Sequence, residues 1–308
     1  MTQNIEYIEG IRNQYQVAKS ELEEIFFPTV VTRYSVILGS GTTYHTYLIA
    51  RNANLDYYRI TLNGLIDLNF GKKVCLTCGK KINENETKTY CNNCTTEEEE
   101  KYKNCLFHSP FKYYNKKCTL EYQPCQVLGN REKCYSKYIL YFGRFGEKIK
   151  VGISRFSYGK YKYKRIIEQG LNEAIVVYPF NSLPEVTFYE RMLIDELGLA
   201  EKITFEEKVE ALLNPTFIEI ETYYPLKQIK ELFYNKKLKK IDVYPDNLLE
   251  NVVSSSFDIT LKKNIKKLSG TIIFTQGNVG IIKKTNELTF FDISKLVGRE
   301  LERRNEEW

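Results

Sequence analysis

The chain lacks the features that mark membrane proteins, secreted proteins and several common enzyme classes. No apolar run approaches the roughly 18–20 uncharged residues of a membrane-spanning helix. The first ten residues are polar and acidic, which excludes a secretory signal peptide. Two histidines leave little material for Ser-His-Asp or Cys-His catalysis, and no P-loop sequence is present. We therefore expect a cytoplasmic protein without a membrane partner.

Cysteine is absent from most of the chain, because all eight cysteines lie between Cys75 and Cys134. The first four form two C-x2-C pairs, Cys75/Cys78 and Cys91/Cys94. In each pair the chain turns back so that both thiolates face one ion, and four thiolates complete a closed tetrahedral zinc site. This spacing predicts a structural zinc ion rather than a catalytic one.

The remaining four cysteines have wide, irregular spacings. Their number fits a second zinc site, and His108 can replace one of them as a ligand. Disulfides or buried thiols explain the same residues, so these alternatives stay open. The residues in question are Cys105, Cys118, Cys125 and Cys134.

The net charge of +6 is small, but the positive charge is concentrated. Nine basic residues and one acid, Glu147, lie between Lys137 and Arg165, and tyrosines alternate with the lysines there. Cations bind phosphates and aromatic rings stack on unpaired bases, so this segment is a candidate nucleic-acid surface. A second basic stretch lies at 227–240, and a solvated face is the alternative interpretation, above all for its cluster at 236–240. The predicted nucleic-acid-binding residues are Lys148, Lys150, Arg155, Lys160, Lys162 and Lys164.

The order of motifs in the middle of the chain resembles two known families. Tyr141, then Lys150-Val-Gly-Ile153, then Arg165 and Glu190 follow the order of the GIY-YIG nuclease superfamily. The chain more closely resembles an uncharacterised prokaryotic family, DUF 2797, over roughly residues 60–210. The segments that carry this second resemblance are Leu62–Leu65, the C-x2-C pairs, Phe145–Arg155, Arg165–Gly170 and Glu201–Thr204.

The nuclease resemblance implies phosphodiester hydrolysis around one divalent cation. It implies that Tyr141 activates the attacking water, that Arg165 stabilises charge on the phosphate, and that Glu190 binds Mg²⁺ or Mn²⁺. Glu185 is a rival for the metal role. Ile139 stands where the first motif has glycine, and Lys150 stands where the second has tyrosine, which weakens the general-base arrangement.

These patterns predict an α+β chain in which a zinc-ribbon region precedes a GIY-YIG-like αβ module, with β-rich segments on either side. The predicted segments are an N-terminal helix and β-rich part (1–70), the zinc region (71–135), the GIY-YIG-like module (136–213) and a C-terminal β-rich segment with a Lys-rich helix (214–308). Neither flanking segment offers a full set of sheet partners, so we expect the two to pack together.

Two functions fit. The first is a zinc-containing nucleic-acid-binding protein that acts as a divalent-metal-dependent endonuclease at Tyr141, Arg165 and Glu190. The second is a non-catalytic module that binds RNA, DNA or a ribonucleoprotein such as a ribosome. A protein–protein adaptor built on zinc ribbons is a further alternative. The sequence does not distinguish DNA from RNA and gives no oligomeric state.

Overall fold

The structure is a computed structural model, and parts of the chain are described in it. The described residues are 5–9, 16–19, 29–38, 44–52, 56–84, 89–94, 136–156, 163–216, 218–245, 257–262 and 264–302.

Strands dominate these residues. The strands are β1 (Ile5–Glu9), β2 (Gln16–Lys19), β3 (Thr29–Leu38), β4 (Tyr44–Arg51), β5 (Tyr57–Thr61), β6 (Gly64–Lys73), β7 (Tyr138–Phe145), β8 (Lys148–Arg155), β9 (Glu173–Phe180), β10 (Lys237–Asp242), β11 (Asp258–Lys262), β12 (Lys267–Gln276), β13 (Val279–Lys284), β14 (Glu287–Asp292) and β15 (Arg299–Glu302). The α-helices are α1 (Lys164–Glu168), α2 (Leu183–Leu197), α3 (Phe205–Leu213) and α4 (Tyr224–Leu232), and short 3-10 turns occur at Ile220–Thr222 and Ile293–Leu296.

The chain divides into two compact units. The first combines described parts of residues 1–95 and 253–308 in one eleven-stranded sheet, in the order β11-β14-β13-β12-β6-β15-β3-β4-β5-β1-β2. The strand β6 joins the two parts, because it pairs with β12 on one side and with β15 on the other. The predicted packing of the flanking segments against each other is confirmed by these pairings.

Alternation of apolar and polar residues explains the strands of this first unit. Residues two apart on a strand share one face, so the apolar set of each strand is buried together. In β6 the residues Ile66, Leu68 and Phe70 are buried while the residues between them are less so. They join a core that also contains Leu48 of β4 and Phe291 of β14.

The second unit, within residues 96–252, contains a four-stranded sheet in the order β10-β9-β7-β8. All eight residues of β7 are buried, as expected for a central strand covered on both faces. Helix α2 packs on one face, where Val186 and Leu193 contact the core built around Leu140 and Phe142. The opposite face carries Tyr141, because side chains alternate along the strand.

The predicted fold class is wrong. The described chain is mainly β, with an eleven-stranded and a four-stranded sheet and few helices, so it is neither α+β nor an αβ module of the GIY-YIG type between β-rich flanks. Sequence patterns identified many of the strands, but they do not reveal that strands about 200 residues apart share one sheet. The four α-helices occupy little of the described chain, whereas the predicted fold class treated helices and strands as comparable.

Two local predictions also fail. Apolar residues at helical spacing over 13–27 predict the N-terminal helix, but strand β2 occupies 16–19, and the rest of that range lies outside the described residues. The sequence also predicts a strand over 218–224, but Ile220–Thr222 form a 3-10 turn and helix α4 begins at Tyr224. In that turn the Ile220 N–H donates to the buried Glu173 carboxylate at 2.9 Å.

Within the described part of the chain, no helix combines the length and apolar character that a membrane span requires.

Candidate functional sites

The first candidate site is the cluster of Cys75, Cys78, Cys91 and Cys94. Their four sulfur atoms all lie within 4.8 Å of one another, and the Cys78 and Cys91 sulfurs are 3.5 Å apart. Sulfurs at about 2.3 Å from a shared tetrahedral zinc lie roughly 3.8 Å apart, so this spacing suits one ion. All four are free thiols rather than disulfides. The cluster can hold a metal ion.

Backbone hydrogen bonds hold the first C-x2-C pair in place. The Gly79 N–H donates to the Cys75 carbonyl (2.9 Å), and the Cys75 N–H donates to the Lys80 carbonyl (2.8 Å). Gly79 has a φ of 71°, which a residue without Cβ adopts without strain. Cys75, Cys94 and Ile82 are buried together, with Cys91 against them, in a small core. Among the described residues of this loop, few apolar groups are buried, so a bound metal would supply much of its stability.

The protonation of these thiols indicates that the cluster favours a cation. Burial raises the pKa of Cys75, but N–H groups of Cys78, Cys91 and Thr77 donate hydrogen bonds to its sulfur and together lower that pKa to about 6. The pKa of Cys94 is raised, first by its hydrogen bond with Cys78 and then by burial. Four adjacent sulfurs cannot all carry negative charge without a cation among them.

The predicted second cluster of Cys105, Cys118, Cys125 and Cys134 lies outside the described residues, as does His108. The second zinc site therefore stays a prediction.

The second candidate site is built around Tyr141 of β7. Tyr141 pairs with Gly152 on the edge strand β8, and its ring lies across that glycine. A Cβ atom at position 152 would stand 2.5 Å from the tyrosine hydroxyl oxygen and 2.6 Å from Cζ. Gly152 therefore leaves the space that lets the hydroxyl reach the edge of the sheet.

Helix α1 and the residue after it bring two side chains to this hydroxyl. Arg165 and Gln169 are four residues apart, so they lie on the same face of the helix. Both side chains act to lower the pKa of Tyr141, which indicates that they lie near its hydroxyl. Gly170, with a φ of 73°, then ends the helix.

Carboxylates and a lysine complete the cluster. Glu190 lies on α2, which packs against β7 and β8, and it interacts electrostatically with Tyr141 and Lys150. The Lys150 amino group is 5.9 Å from the centre of the Tyr141 ring. Glu201 also interacts electrostatically with Glu190 and Lys150. Its segment is fixed beside β8, because the carbonyl of the preceding residue, Ala200, accepts a hydrogen bond of 2.9 Å from the Val151 N–H.

Burial and charge shift the pKa values of this cluster in a consistent way. Burial, partly offset by Arg165, raises the pKa of Tyr141 to about 12. Burial and then the Arg165 charge lower the pKa of Lys150 to about 8. Burial and then Glu201 raise the pKa of Glu190. Acidic and basic side chains are thus held close together where water has little access, which is a common property of functional sites.

Electrostatic interactions link the three predicted catalytic residues, Tyr141, Arg165 and Glu190, with one another and with Lys150 from the predicted nucleic-acid-binding set. Glu185, the alternative candidate for binding the divalent metal, makes other contacts. Its carboxylate accepts a hydrogen bond from the Asn181 N–H at the start of α2 and forms an ion pair with Lys236 at 3.0 Å.

The other predicted cations that the structure describes make their contacts away from this cluster. Lys148 forms an exposed ion pair with Glu207 (3.8 Å), and Lys164 pairs with Glu168 (3.6 Å). Arg155 is exposed at the far end of β8. Lys160 and Lys162 lie outside the described residues.

Sequence reasoning gave no role to Gln169 or Glu201, although both lie in segments that carry the family resemblance. The spacing of four residues from Arg165 could have singled out Gln169 once the helix was predicted. Glu201 had no comparable signal, because its position depends on the pairing of its segment with β8.

The comparisons with known proteins agree with the closer of the two resemblances. A family model described as "Protein of unknown function (DUF2797)" matches residues 64–269, which is more than half of the chain. No curated protein and no solved structure matches. The match does not show membership of the GIY-YIG superfamily. The matched range includes both the first cysteine cluster and the Tyr141 cluster. Because the match covers more than half of the chain, the chain belongs to the DUF2797 family.

Proposed function

We propose that this chain is a zinc-containing protein that binds nucleic acid and hydrolyses its phosphodiester bonds at the Tyr141 cluster. The observation that carries the proposal is the convergence of Tyr141, Arg165 and Glu190 with Lys150 beside the edge strand β8. These residues come from separate elements, and the order of three of them along the chain had already suggested phosphodiester chemistry.

The residues supply complementary interactions for a phosphate. The Arg165 guanidinium is exposed and presents donors in a planar fork that matches two phosphate oxygens. Lys150 is 7% exposed, and among the described residues Glu190 and Glu201 act on it electrostatically without an ion pair to it, so a phosphate that reaches this place would meet a positive charge that no direct ion pair neutralises. Its surroundings are poorly solvated, which strengthens attraction between unlike charges.

Tyr141 stays protonated at neutral pH because its pKa is raised to about 12. Its hydroxyl therefore acts as a hydrogen-bond donor that orients a phosphate oxygen or the attacking water. Glu190, with Glu201 near it, supplies carboxylate oxygens of the kind that Mg²⁺ and Mn²⁺ prefer. A bound cation would add Lewis-acid stabilisation of the phosphate.

The first cysteine cluster holds the zinc ion in this proposal, as a structural site. Four sulfur ligands leave no open position for a substrate, so zinc would stabilise the loop at 75–94 without taking part in hydrolysis. Metal analysis of the purified protein should give about one zinc per chain from this cluster.

Incubation with labelled single- and double-stranded DNA and RNA, with and without Mn²⁺, tests hydrolysis. Metal-dependent products should appear with the unaltered protein and disappear in Glu190→Gln. The matched control is Glu196→Gln, an exposed glutamate on the same helix, which should leave cleavage unchanged. Equal loss in both variants, or products that need neither metal nor Glu190, would contradict the proposed site.

A second candidate function is binding without cleavage, as part of an RNA-binding or ribonucleoprotein-associated module. Lys150 favours it, because a lysine at this place offers a charge to phosphate but no second aromatic hydroxyl. In that case the same assays would show retarded oligonucleotides and no products. Binding should then weaken with rising salt and in Lys150→Met.

A further inference from the structure

Strand β11 lies at one edge of the eleven-stranded sheet, and among the described residues no strand pairs with its outer side. It runs parallel to β14, with Asp258 opposite Glu287 and Lys262 opposite Phe291. All of its residues except Lys262 are exposed. An edge strand of this kind is a template on which a strand of another chain can pair.

The register with β14 shows which backbone groups of β11 point outwards. The Asp258 N–H donates to the Asn286 carbonyl at 2.9 Å. In a parallel pair every second residue directs both its N–H and its C=O towards the same neighbour. Residues 258, 260 and 262 therefore bond towards β14, and the N–H and C=O groups of Ile259 and Leu261 point away from the sheet.

The side chains of Ile259 and Leu261 extend the apolar face of the sheet to its edge. They are 43% and 44% exposed, whereas Leu288 and Phe290, which lie opposite them on β14, are fully buried. A further strand beside β11 would cover this half-exposed strip. The edge thus offers both outward backbone groups and apolar surface to the same partner.

The sequence of β11, Asp-Ile-Thr-Leu-Lys, is complementary to itself when two copies run in opposite directions. With Thr260 at the centre, Asp258 of one copy lies opposite Lys262 of the other, and Ile259 lies opposite Leu261. Unlike charges and apolar side chains that lie directly opposite each other stabilise a strand pair. Parallel pairing in the same register would instead place like charges opposite each other.

The backbone fits the same arrangement. In an antiparallel pair, residues that exchange both N–H···O=C bonds alternate with residues that exchange none. Ile259 and Leu261, whose backbone groups point outwards, would form the hydrogen-bonded pairs. Thr260, whose backbone bonds towards β14, would meet its own counterpart at the position that needs no bond. Side-chain and backbone complementarity therefore select one register.

Strand β10, at an edge of the four-stranded sheet, shows the opposite design. Three of its six residues are lysines, Lys237, Lys239 and Lys240, and edge lysines protect a sheet against pairing with other chains. Two antiparallel copies of β10 would bring Lys239 opposite Lys240. In β11 the single lysine is balanced by Asp258 at the other end of the strand.

We propose that the protein forms a symmetric dimer through antiparallel pairing of β11 with β11 of a second copy, which joins two eleven-stranded sheets into one. The two-fold axis passes beside Thr260, so the contact is closed and does not continue into a fibre. Only five residues of each strand take part, and interfaces of this small size are weak, so the dimer is reversible. The inference is independent of the proposed hydrolysis.

Sedimentation velocity of the full-length protein over the micromolar range tests the dimer. The unaltered protein should change from the 36.2 kDa chain to twice that mass as its concentration rises. Asp258→Lys and Lys262→Asp should each stay monomeric at concentrations where the unaltered protein is dimeric, because like charges then meet at both ends of the strand pair. The control is Asp195→Lys, the same change at an exposed position on α2, which should leave dimerisation unchanged.

An equimolar mixture of Asp258→Lys and Lys262→Asp tests the register itself. In a mixed pair, two lysines on one strand face two aspartates on the other, so a dimer with one chain of each variant should form although each variant alone is monomeric. The double variant Asp258→Lys/Lys262→Asp should dimerise by itself. This recovery also shows that the single variants are folded.

Three results would overturn the inference. The first is an unaltered protein that stays monomeric at all these concentrations, including a monomer whose residue 259 and 261 amides are protected from hydrogen exchange, because another segment of the same chain then covers the edge. The second is a dimer that both single variants form as readily as the unaltered protein, because the contact then lies elsewhere. The third is a mixture of the two variants that remains monomeric, because the two charged positions then do not face each other.

Discussion

Replacing Gly152 by alanine tests the geometry of the Tyr141 cluster most directly. The new Cβ would lie 2.5 Å from the Tyr141 hydroxyl oxygen, whereas ordinary contact begins near 3.4 Å. The ring must therefore move by about 1 Å. Gly152 does not have a left-handed backbone, so alanine adds no backbone strain and the effect comes from this collision.

The size of the effect follows from how closely the ring is packed. Tyr141 is 1% exposed, so it has little space into which to move. Overpacking of this kind typically costs about 1–3 kcal/mol. A shift of the hydroxyl also changes its interactions with Gln169 and Arg165. We expect the free energy of unfolding in urea to fall by about 2 kcal/mol.

A double-mutant cycle separates this collision from any other consequence of the substitution. Gly152→Ala should cost about 2 kcal/mol in the natural background and close to nothing in a Tyr141→Ala background, where no ring opposes the new methyl group. Gly71→Ala is the control for a strand glycine, because there the Cβ would meet the side chain of Glu302, which is exposed and can move away. An equal cost of Gly152→Ala in both backgrounds would refute the reasoning.

Three further predictions concern other parts of the chain. Removing metal with a zinc chelator should expose the loop at 75–94 to limited proteolysis, and Cys78→Ser should do the same without chelator; an unchanged digestion pattern would exclude a structural metal there. The buried Glu173, which accepts hydrogen bonds from Arg144 and the residue 220 N–H, keeps a lowered pKa although burial opposes this. The stabilising effect of Glu173 is therefore fully present above the pKa of a glutamate in the unfolded state, roughly 4.3, and is lost as the pH falls through the lower pKa of the folded state. In urea titrations, Glu173→Gln should lower the free energy of unfolding by about 3 kcal/mol at pH 7. The same variant should lose less stability than the unaltered protein when the pH is lowered. Lys150→Met should weaken oligonucleotide binding and reduce its salt dependence by about one phosphate contact, whereas Lys148→Met should change both little, because Lys148 already pairs with Glu207.

Local structure was predictable where the pattern is local. The alternation of β-branched and aromatic residues gave strand β3 with its observed ends, Thr29–Leu38. Proline at the start and glycine at the end likewise bounded α2, whose C-terminal Gly198 has a φ of 64°. Strand β10 at residues 237–242 was not predicted, because its run of lysines was interpreted only as a basic stretch. That strand depends on pairing with β9, which periodicity does not show.

The residues of the two candidate sites were likewise predictable only where a pattern along the chain reveals them. The metal cluster was predictable because C-x2-C pairs bring their ligands together over a few residues. Tyr141, Arg165 and Glu190 were singled out by their order along the chain. Gln169 and Glu201 were missed because their importance depends on three-dimensional neighbours, the hydroxyl of Tyr141 in one case and the edge of β8 in the other.

The discontinuous first unit has a consequence for how the protein is made. Strand β6 ends at residue 73, but its neighbours β12 and β15 begin at residues 267 and 299. A ribosome that adds about 5–20 residues per second needs roughly 10–40 seconds to reach β12. Until then both sides of β6 offer unpaired backbone groups to other nascent chains. A translational stall after residue 252 would thus leave β6 without either neighbour and prone to aggregation, so the yield of native protein should depend on the speed at which residues 253–308 are translated.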